Sequence, residues 1–299
     1  MILIPEILTK SLKGHKNKFM EIIVSKNTGF CFGVKRAYEL SLKTLEEDKE
    51  CQMLGNLVHN EKVVNELKEK GLQFISSLED IKEGTVIVRA HGVSDDVFRQ
   101  LKEKGVKIVD ATCPLVRKAQ NFAKELENQG RKVIIIGEKD HAEVKAINGA
   151  IDNRGVVINS KEEVGEVENS GPVGVVIQTT QDSQRVEEFL QLIKERFSDV
   201  KVCDSLCGAV SERQKEVREI ANKVDIILVV GSKTSANTQS LVNIIYEKGG
   251  VVYGVEDEKD IDSNWFKKES KVGLISGTSA PEWLVEKVKN KLEEIKNAY

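Results

Sequence analysis

Leu67-Lys68-Glu69-Lys70-Gly71-Leu72-Gln73-Phe74-Ile75 carries the pattern that decides the fold. A charged amphipathic run stops on a glycine, and a short apolar run follows at once. Glycine just past a helix takes the left-handed conformation that ends it, because it has no Cβ to clash. The apolar residues beyond read as a strand. The same order recurs at Leu101-Lys102-Glu103-Lys104-Gly105 before residues 106–109, at residues 126–130 before 133–136, and at Tyr246-Glu247-Lys248-Gly249 before 251–253. Helices alternating with apolar strands at this spacing predict an α/β fold of βαβ units with parallel sheets. The recurrence predicts a duplicated unit, in two or three copies, rather than one long sheet.

The bulk composition narrows the class. A chain of 299 residues, 40% hydrophobic and 31% charged, suits a soluble protein of two or three α/β units sharing a centre. A net charge of −3 argues against nucleic acid or a membrane surface as partner, because phosphate binding leaves a basic excess. The apolar runs at 226–230 and 133–136 are strand-sized, far short of the roughly 20 residues a spanning helix needs. Residues 1–19 lack a signal-peptide cleavage site and read as a dispensable extension ahead of Met20. The expected location is the cytoplasm, where five cysteines would stay reduced rather than form disulfides.

Polar motifs fall just after the strand-like runs. They include Asn27-Thr28-Gly29-Phe30-Cys31, Ala90-His91-Gly92, Asp110-Ala111-Thr112-Cys113-Pro114 and Asp140-His141-Ala142-Glu143. Farther on come Gln178-Thr179-Thr180, Asp204-Ser205-Leu206-Cys207, residues 231–237 and residues 276–281. Ligands of parallel sheets bind beyond the carboxyl ends of the strands, so these loops are candidates for one convergent site.

Cys31, Cys113 and Cys207 come from separate units, with no local CxxC pair of the zinc-ribbon or ferredoxin kind. Cys203 lies inside a strand-like run and Cys51 has no polar motif around it, so both read as small buried hydrophobes. Three thiolates are one ligand short for a four-iron cluster, which would leave one iron open to substrate. Spacing alone also allows three merely buried thiols. His59, His91 and His141, with Ser235, Asn237 and Ser279 near helix N-termini, make an anion site without Lys or Arg, suited to phosphate or diphosphate. The fingerprints GxxxxGKS/T and GxGxxG are missing, which removes nucleoside triphosphates and dinucleotides. Glu143, two residues from His141, is a candidate proton donor whose pKa burial would raise. Two other readings stay open on these residues. One is a non-enzymatic iron–sulfur or zinc redox protein; the other is a phosphosugar-type enzyme with buried cysteines.

Taken together, the motifs resemble the hydroxymethylbutenyl diphosphate reductase family (IspH/LytB). The matching blocks are Gly29-Phe30-Cys31-Phe32-Gly33-Val34, Val58-His59-Asn60, Arg89-Ala90-His91-Gly92-Val93 and Asp110-Ala111-Thr112-Cys113-Pro114. They continue through His141-Ala142-Glu143-Val144, Gln178-Thr179-Thr180, Cys207 with Arg213-Gln214, Ser235 with Asn237, and Ser279-Ala280-Pro281-Glu282. The resemblance implies a trefoil of three similar α/β domains around a central cluster, here 33–113, 114–203, and 20–32 together with 204–299. It implies a [4Fe–4S] cluster on Cys31, Cys113 and Cys207 whose open iron binds the substrate hydroxyl. It further implies reductive dehydroxylation of (E)-4-hydroxy-3-methylbut-2-enyl diphosphate to isopentenyl and dimethylallyl diphosphate, with a ferredoxin or flavodoxin as electron donor. By the same likeness His59, His91, His141, Ser235, Asn237 and Ser279 hold the diphosphate. Glu143 delivers protons, with His141 beside it, and Thr179 orients the hydroxyl.

Three positions depart from the family pattern. Ala236 stands where a serine is commoner, Val210 where a threonine is often found, and Asn27-Thr28-Gly29 replaces Asn-Pro-Arg-Gly. No ligand or proton-donor position is lost.

Overall fold

The structure, a computed structural model, describes residues 19–299. Apart from Phe19, the extension read over residues 1–19 lies outside the described residues. Strand β1 (Glu21–Val24) leads into helix α1 (Phe32–Glu47). A first unit follows, with β2 (Cys51–Leu54), α2 (Glu61–Glu69), β3 (Gln73–Ile75), β4 (Thr85–Val88), α3 (Asp95–Glu103) and β5 (Lys107–Asp110). Helix α4 (Pro114–Asn128) passes to a second unit of β6 (Lys132–Ile136), α5 (Ala142–Gly149), β7 (Val156–Ile158) and α6 (Lys161–Glu166). That unit closes with β8 (Val173–Ile177), α7 (Ser183–Arg196) and β9 (Val200–Cys203). Helix α8 (Gly208–Ala221) opens the third, with β10 (Ile226–Val230), α9 (Ala236–Glu247), β11 (Val251–Val255), β12 (Lys271–Ser276) and α10 (Glu282–Asn297).

The strand orders are β3-β2-β4-β5, β7-β6-β8-β9 and β11-β10-β12-β1, parallel throughout. In each sheet, strands stand in the order second, first, third, fourth. The repeat is therefore threefold, and the chain's first strand serves as the fourth strand of the last sheet. In every unit the winding reverses between the first and third strands. That gap is a topological switch point, where loops part and leave a crevice.

Both faces of these sheets are covered, so the strands can be apolar without a break. Along β10, Ile226, Leu228 and Val230 pack with Leu284 and Val288 of α10. Ile227 and Val229 point the other way, against Val217 of α8 and Leu241 of α9. Side chains alternating along a strand let one run supply two cores. No helix among the described residues is long and apolar enough to cross a membrane.

The helix-ending glycines behave as the sequence predicts. Gly71, Gly105, Gly130 and Gly249 have φ of +104°, +70°, +71° and +72°. At Gly71 the N–H groups of Gly71 and Leu72 donate to the carbonyls of Lys68 and Leu67, which closes the last turn. Nothing lies within 4 Å of where a Cβ would sit at any of the four, so conformation alone demands glycine there. Gly105→Ala should therefore cost about 1 kcal/mol. Chemical denaturation should detect that loss, with activity at the distant site unaltered.

Strands β2 and β7 are not evident from the sequence pattern. Cys51-Gln52-Met53-Leu54 holds no β-branched residue, yet it is the first strand of its sheet, with Cys51 and Met53 fully buried. Strand β7 is only three residues long. Missing β2 leaves His59 without a strand to precede it.

Candidate active site

The fourth strand of each unit delivers one cysteine. Strands β1, β5 and β9 run out to Cys31, Cys113 and Cys207, the N-cap residues of α1, α4 and α8. All three line one cavity. Burial raises the thiol pKa of Cys31 and Cys113, and a neighbouring cysteine's charge raises each further. First-turn N–H groups oppose this, those of Val34 and Gly33 at Cys31 and those of Leu115 and Val116 at Cys113. Three positive helix ends thus converge beside the sulfurs and, at Cys31 and Cys113, partly offset the burial that favours the neutral thiol. A Cβ on Gly33 would lie 2.6 Å from Cys113 Sγ, so α1 approaches this closely only because residue 33 has no side chain. Cys51 and Cys203 lie in strands, buried in the cores of the first and second units.

The switch points deliver the other candidates. His59 follows β2 and His91 follows β4; His141 follows β6 and Thr179 follows β8; Ser235 and Asn237 follow β10 and Ser279 follows β12. All of these, with Glu143, line the same cavity as the cysteines. The ring centres of His59 and His91 are 4.8 Å apart, those of His91 and His141 5.4 Å, and those of His59 and His141 5.5 Å. Burial is the main force holding all three imidazoles toward the neutral form, with His141 lowered to about 4. Three histidines this close also resemble a metal site. However, His141 Nδ1 accepts the N–H of Glu143 at 3.2 Å, so the neutral ring carries its proton on Nε2. It offers the cavity a donor, which suits an anion rather than a metal.

Several polar atoms here are buried without partners: His59 Nε2, His91 Nδ1, Ser279 Oγ, and both amide atoms of Asn237. Each such atom costs about 1–3 kcal/mol unless a ligand satisfies it. Ser235 caps α9, accepting the N–H of Thr238 at 3.4 Å, and keeps its own hydroxyl proton free to donate. Asn237 lies within the first turn of α9, which Ser235 caps. Pro281 is the N-cap residue of α10. Asn60 ties two units together. Its Nδ2 donates to the Ser279 carbonyl at 2.8 Å while its Oδ1 caps α2.

Glu143 is 2% exposed. Its carboxyl accepts the N–H of Thr179 at 2.6 Å and the Thr179 hydroxyl at 2.8 Å. The Thr179 carbonyl in turn accepts the N–H of Cys207 at 3.0 Å. Burial raises Glu143 to about 7 against the pull of both Thr179 bonds. A continuous chain of contacts therefore runs from His141 through Glu143 and Thr179 to Cys207.

The LytB protein family model matches residues 22–293 of this chain. The chain belongs to the LytB family. A 4-hydroxy-3-methylbut-2-enyl diphosphate reductase of Aquifex aeolicus is 37% identical over 281 residues, 92% of this chain and 97% of that protein. One of Geobacter sulfurreducens is 36% identical over 278 residues, 93% of this chain and 99% of that protein. Among solved structures, the E-1-hydroxy-2-methyl-but-2-enyl-4-diphosphate reductase of Plasmodium falciparum superposes with a TM-score of 0.87 at 28% identity. That match covers 92% of this chain and 87% of the other. The three-lobed fold is thus the LytB fold, and the chain is an enzyme, an oxidoreductase.

For a LytB chain two departures acquire a location. Val210 is a buried part of the cavity wall, and Ala236 lines the cavity beside Asn237 without a hydroxyl. Arg213, given no role by the motifs, donates through Nε to the Asn27 carbonyl at 2.9 Å and through Nη2 to that of Gly29 at 2.8 Å. It braces the turn into Cys31, and its charge acts on both Cys31 and Cys207. Only its place six residues after Cys207 hints at this in the sequence. The three thiols, the glycine cradle and the buried cation fit an anionic iron–sulfur cluster held at this place.

Proposed function

We propose that the chain reduces (E)-4-hydroxy-3-methylbut-2-enyl diphosphate to isopentenyl and dimethylallyl diphosphate. This is the last step of the methylerythritol phosphate route to isoprenoids. Two electrons and two protons balance it: the C–O bond breaks, one proton leaves in water and the other ends on carbon. The supporting observation is a single cavity that joins three cysteines, a buried acid near neutrality and a cluster of unpaired polar atoms.

Cys31, Cys113 and Cys207 would hold a [4Fe–4S] cluster, which supplies electrons and a Lewis-acidic iron without a cysteine of its own. His59, His91, His141, Ser235, Asn237 and Ser279 bind the diphosphate. Ring N–H, amide and hydroxyl groups replace its water shell, and the N-terminus of α9 adds favourable potential. Anchoring the remote end positions the reacting C–O bond. Thr179 bonds the substrate hydroxyl, and Glu143 passes protons through Thr179. A carboxyl with a pKa near 7 is protonated often enough at neutral pH to act as acid, and its anion is readily re-protonated. A ferredoxin or flavodoxin type carrier brings the electrons, in the cytoplasm. In support of an outside donor, Phe32 beside Cys31 is 75% exposed.

The test is anaerobic turnover of the hydroxylated diphosphate with an artificial reductant. Both five-carbon diphosphates are expected as products. Protein purified anaerobically with zinc, without iron, and without turnover would overturn the proposal.

A further inference from the structure

Arg89 directly follows β4 and stands two residues before His91. Its guanidinium lies against the turn after β2, where a Cβ on Gly55 would come within 2.5 Å of Nη1. Gly55 has φ of +72°, so both the backbone and the space for Arg89 require glycine there. Arg89 Nε is buried without a hydrogen-bond partner, and no carboxylate pairs with this side chain among the described residues. Three other partly buried arginines have one, Arg117 with Asp110, Arg131 with Asp199 and Arg218 with Asp182, while Arg36 and Arg213 donate to backbone carbonyls instead. The charge of Arg89 acts instead on His59, His91 and His141. A half-buried cation without a counter-ion is costly to the fold. Three neutral imidazoles supply no negative charge to offset it, and no lysine or arginine lines the cavity itself.

We infer that Arg89 is the counter-charge for the ligand's diphosphate, acting from behind the three imidazoles as a positioning residue. The inference rests on the diphosphate reading above. The anion site read from sequence as lacking Lys or Arg has its cation one layer back. In a buried site such a charge is still felt strongly across that layer. The neutral ring N–H groups give direction, and Arg89 gives the charge balance that neutral donors cannot.

Inorganic pyrophosphate, which carries the anion without a reacting carbon, is the probe. Titrated calorimetrically into anaerobically prepared holoenzyme, it should bind Arg89→Met about tenfold or more weakly than wild type. Arg89→Lys should restore affinity to within about threefold, since the charge matters here rather than a bidentate contact. With full substrate, the loss in Arg89→Met should fall on KM rather than kcat. Ligand-free Arg89→Met should melt no lower than wild type, because an unpaired charge has left the interior. A structural arginine would give the opposite sign, with a lower Tm or a failure to fold. Either that outcome or undiminished pyrophosphate binding by Arg89→Met overturns the inference and leaves the proposed reaction standing. Wild-type enzyme that turns over substrate yet ignores pyrophosphate also overturns it. Absence of both turnover and binding in wild type overturns the reading beneath it.

Discussion

Glu143→Gln is expected to lower turnover about 10²–10⁴-fold while the fold and the cysteine end of the site stay intact. The amide has the shape of the carboxyl and its oxygen still accepts the Thr179 N–H, while its NH2 donates to the Thr179 hydroxyl in place of accepting from it, so the link onward to Cys207 is kept. What disappears is the acidic proton. The wild type should lose turnover as pH rises through about 7, where Glu143 gives up its proton. Stability follows the same group. Its folded pKa is raised from 4.5 to about 7, so its contribution is fully present below pH 4.5 and lost as pH rises to 7. By pH 7 the native state has lost about 3 kcal/mol from this site. The variant escapes that loss, and should melt higher than wild type at pH 8 but not at pH 4. Wild-type turnover in the variant would mean that another group is the acid.

Gly33→Ala is expected to empty the cysteine end. The added methyl would lie 2.6 Å from Cys113 Sγ and 3.3 Å from its Cβ. Carbon and sulfur need roughly 3.5 Å or more, so α1 or Cys113 must shift by about an ångström. Metal–ligand bonds tolerate only about 0.2 Å. Iron bound per chain should fall several-fold and visible absorption with it. The lobes should still fold, because Gly33 lies in the first turn of its helix and φ there is ordinary. Normal iron content in the variant would show that the sulfurs do not converge as described.

Much of this was legible in the sequence, for identifiable reasons. The helix–glycine–strand order announces parallel α/β units because left-handed caps demand glycine and doubly covered strands demand uninterrupted apolar runs. The cysteines stand out because each is a rare residue type in a polar loop that follows a strand-like run. Strand β2 was hidden because Cys51-Gln52-Met53-Leu54 lacks β-branched residues, its burial coming from tertiary packing rather than propensity. The threefold closure is read from the family resemblance rather than from the residue pattern, because β1 pairs with β12, far along the chain, and such a pairing leaves no local mark. The contacts from His141 to Cys207, and the two arginines behind the site, depend on neighbours from separate loops. Residue type alone marks neither Arg89 nor Arg213 among the chain's many cations.

The cysteine end and the anion end line one cavity and form a single site. Electron paramagnetic resonance of the anaerobically reduced protein, with and without the hydroxylated diphosphate, tests it most directly. An iron–sulfur signal is expected whose g-values shift when the substrate is added, with no such shift for Asn237→Ala at the same substrate concentration. An iron–sulfur signal indifferent to substrate, or no such signal at all, would contradict a single site.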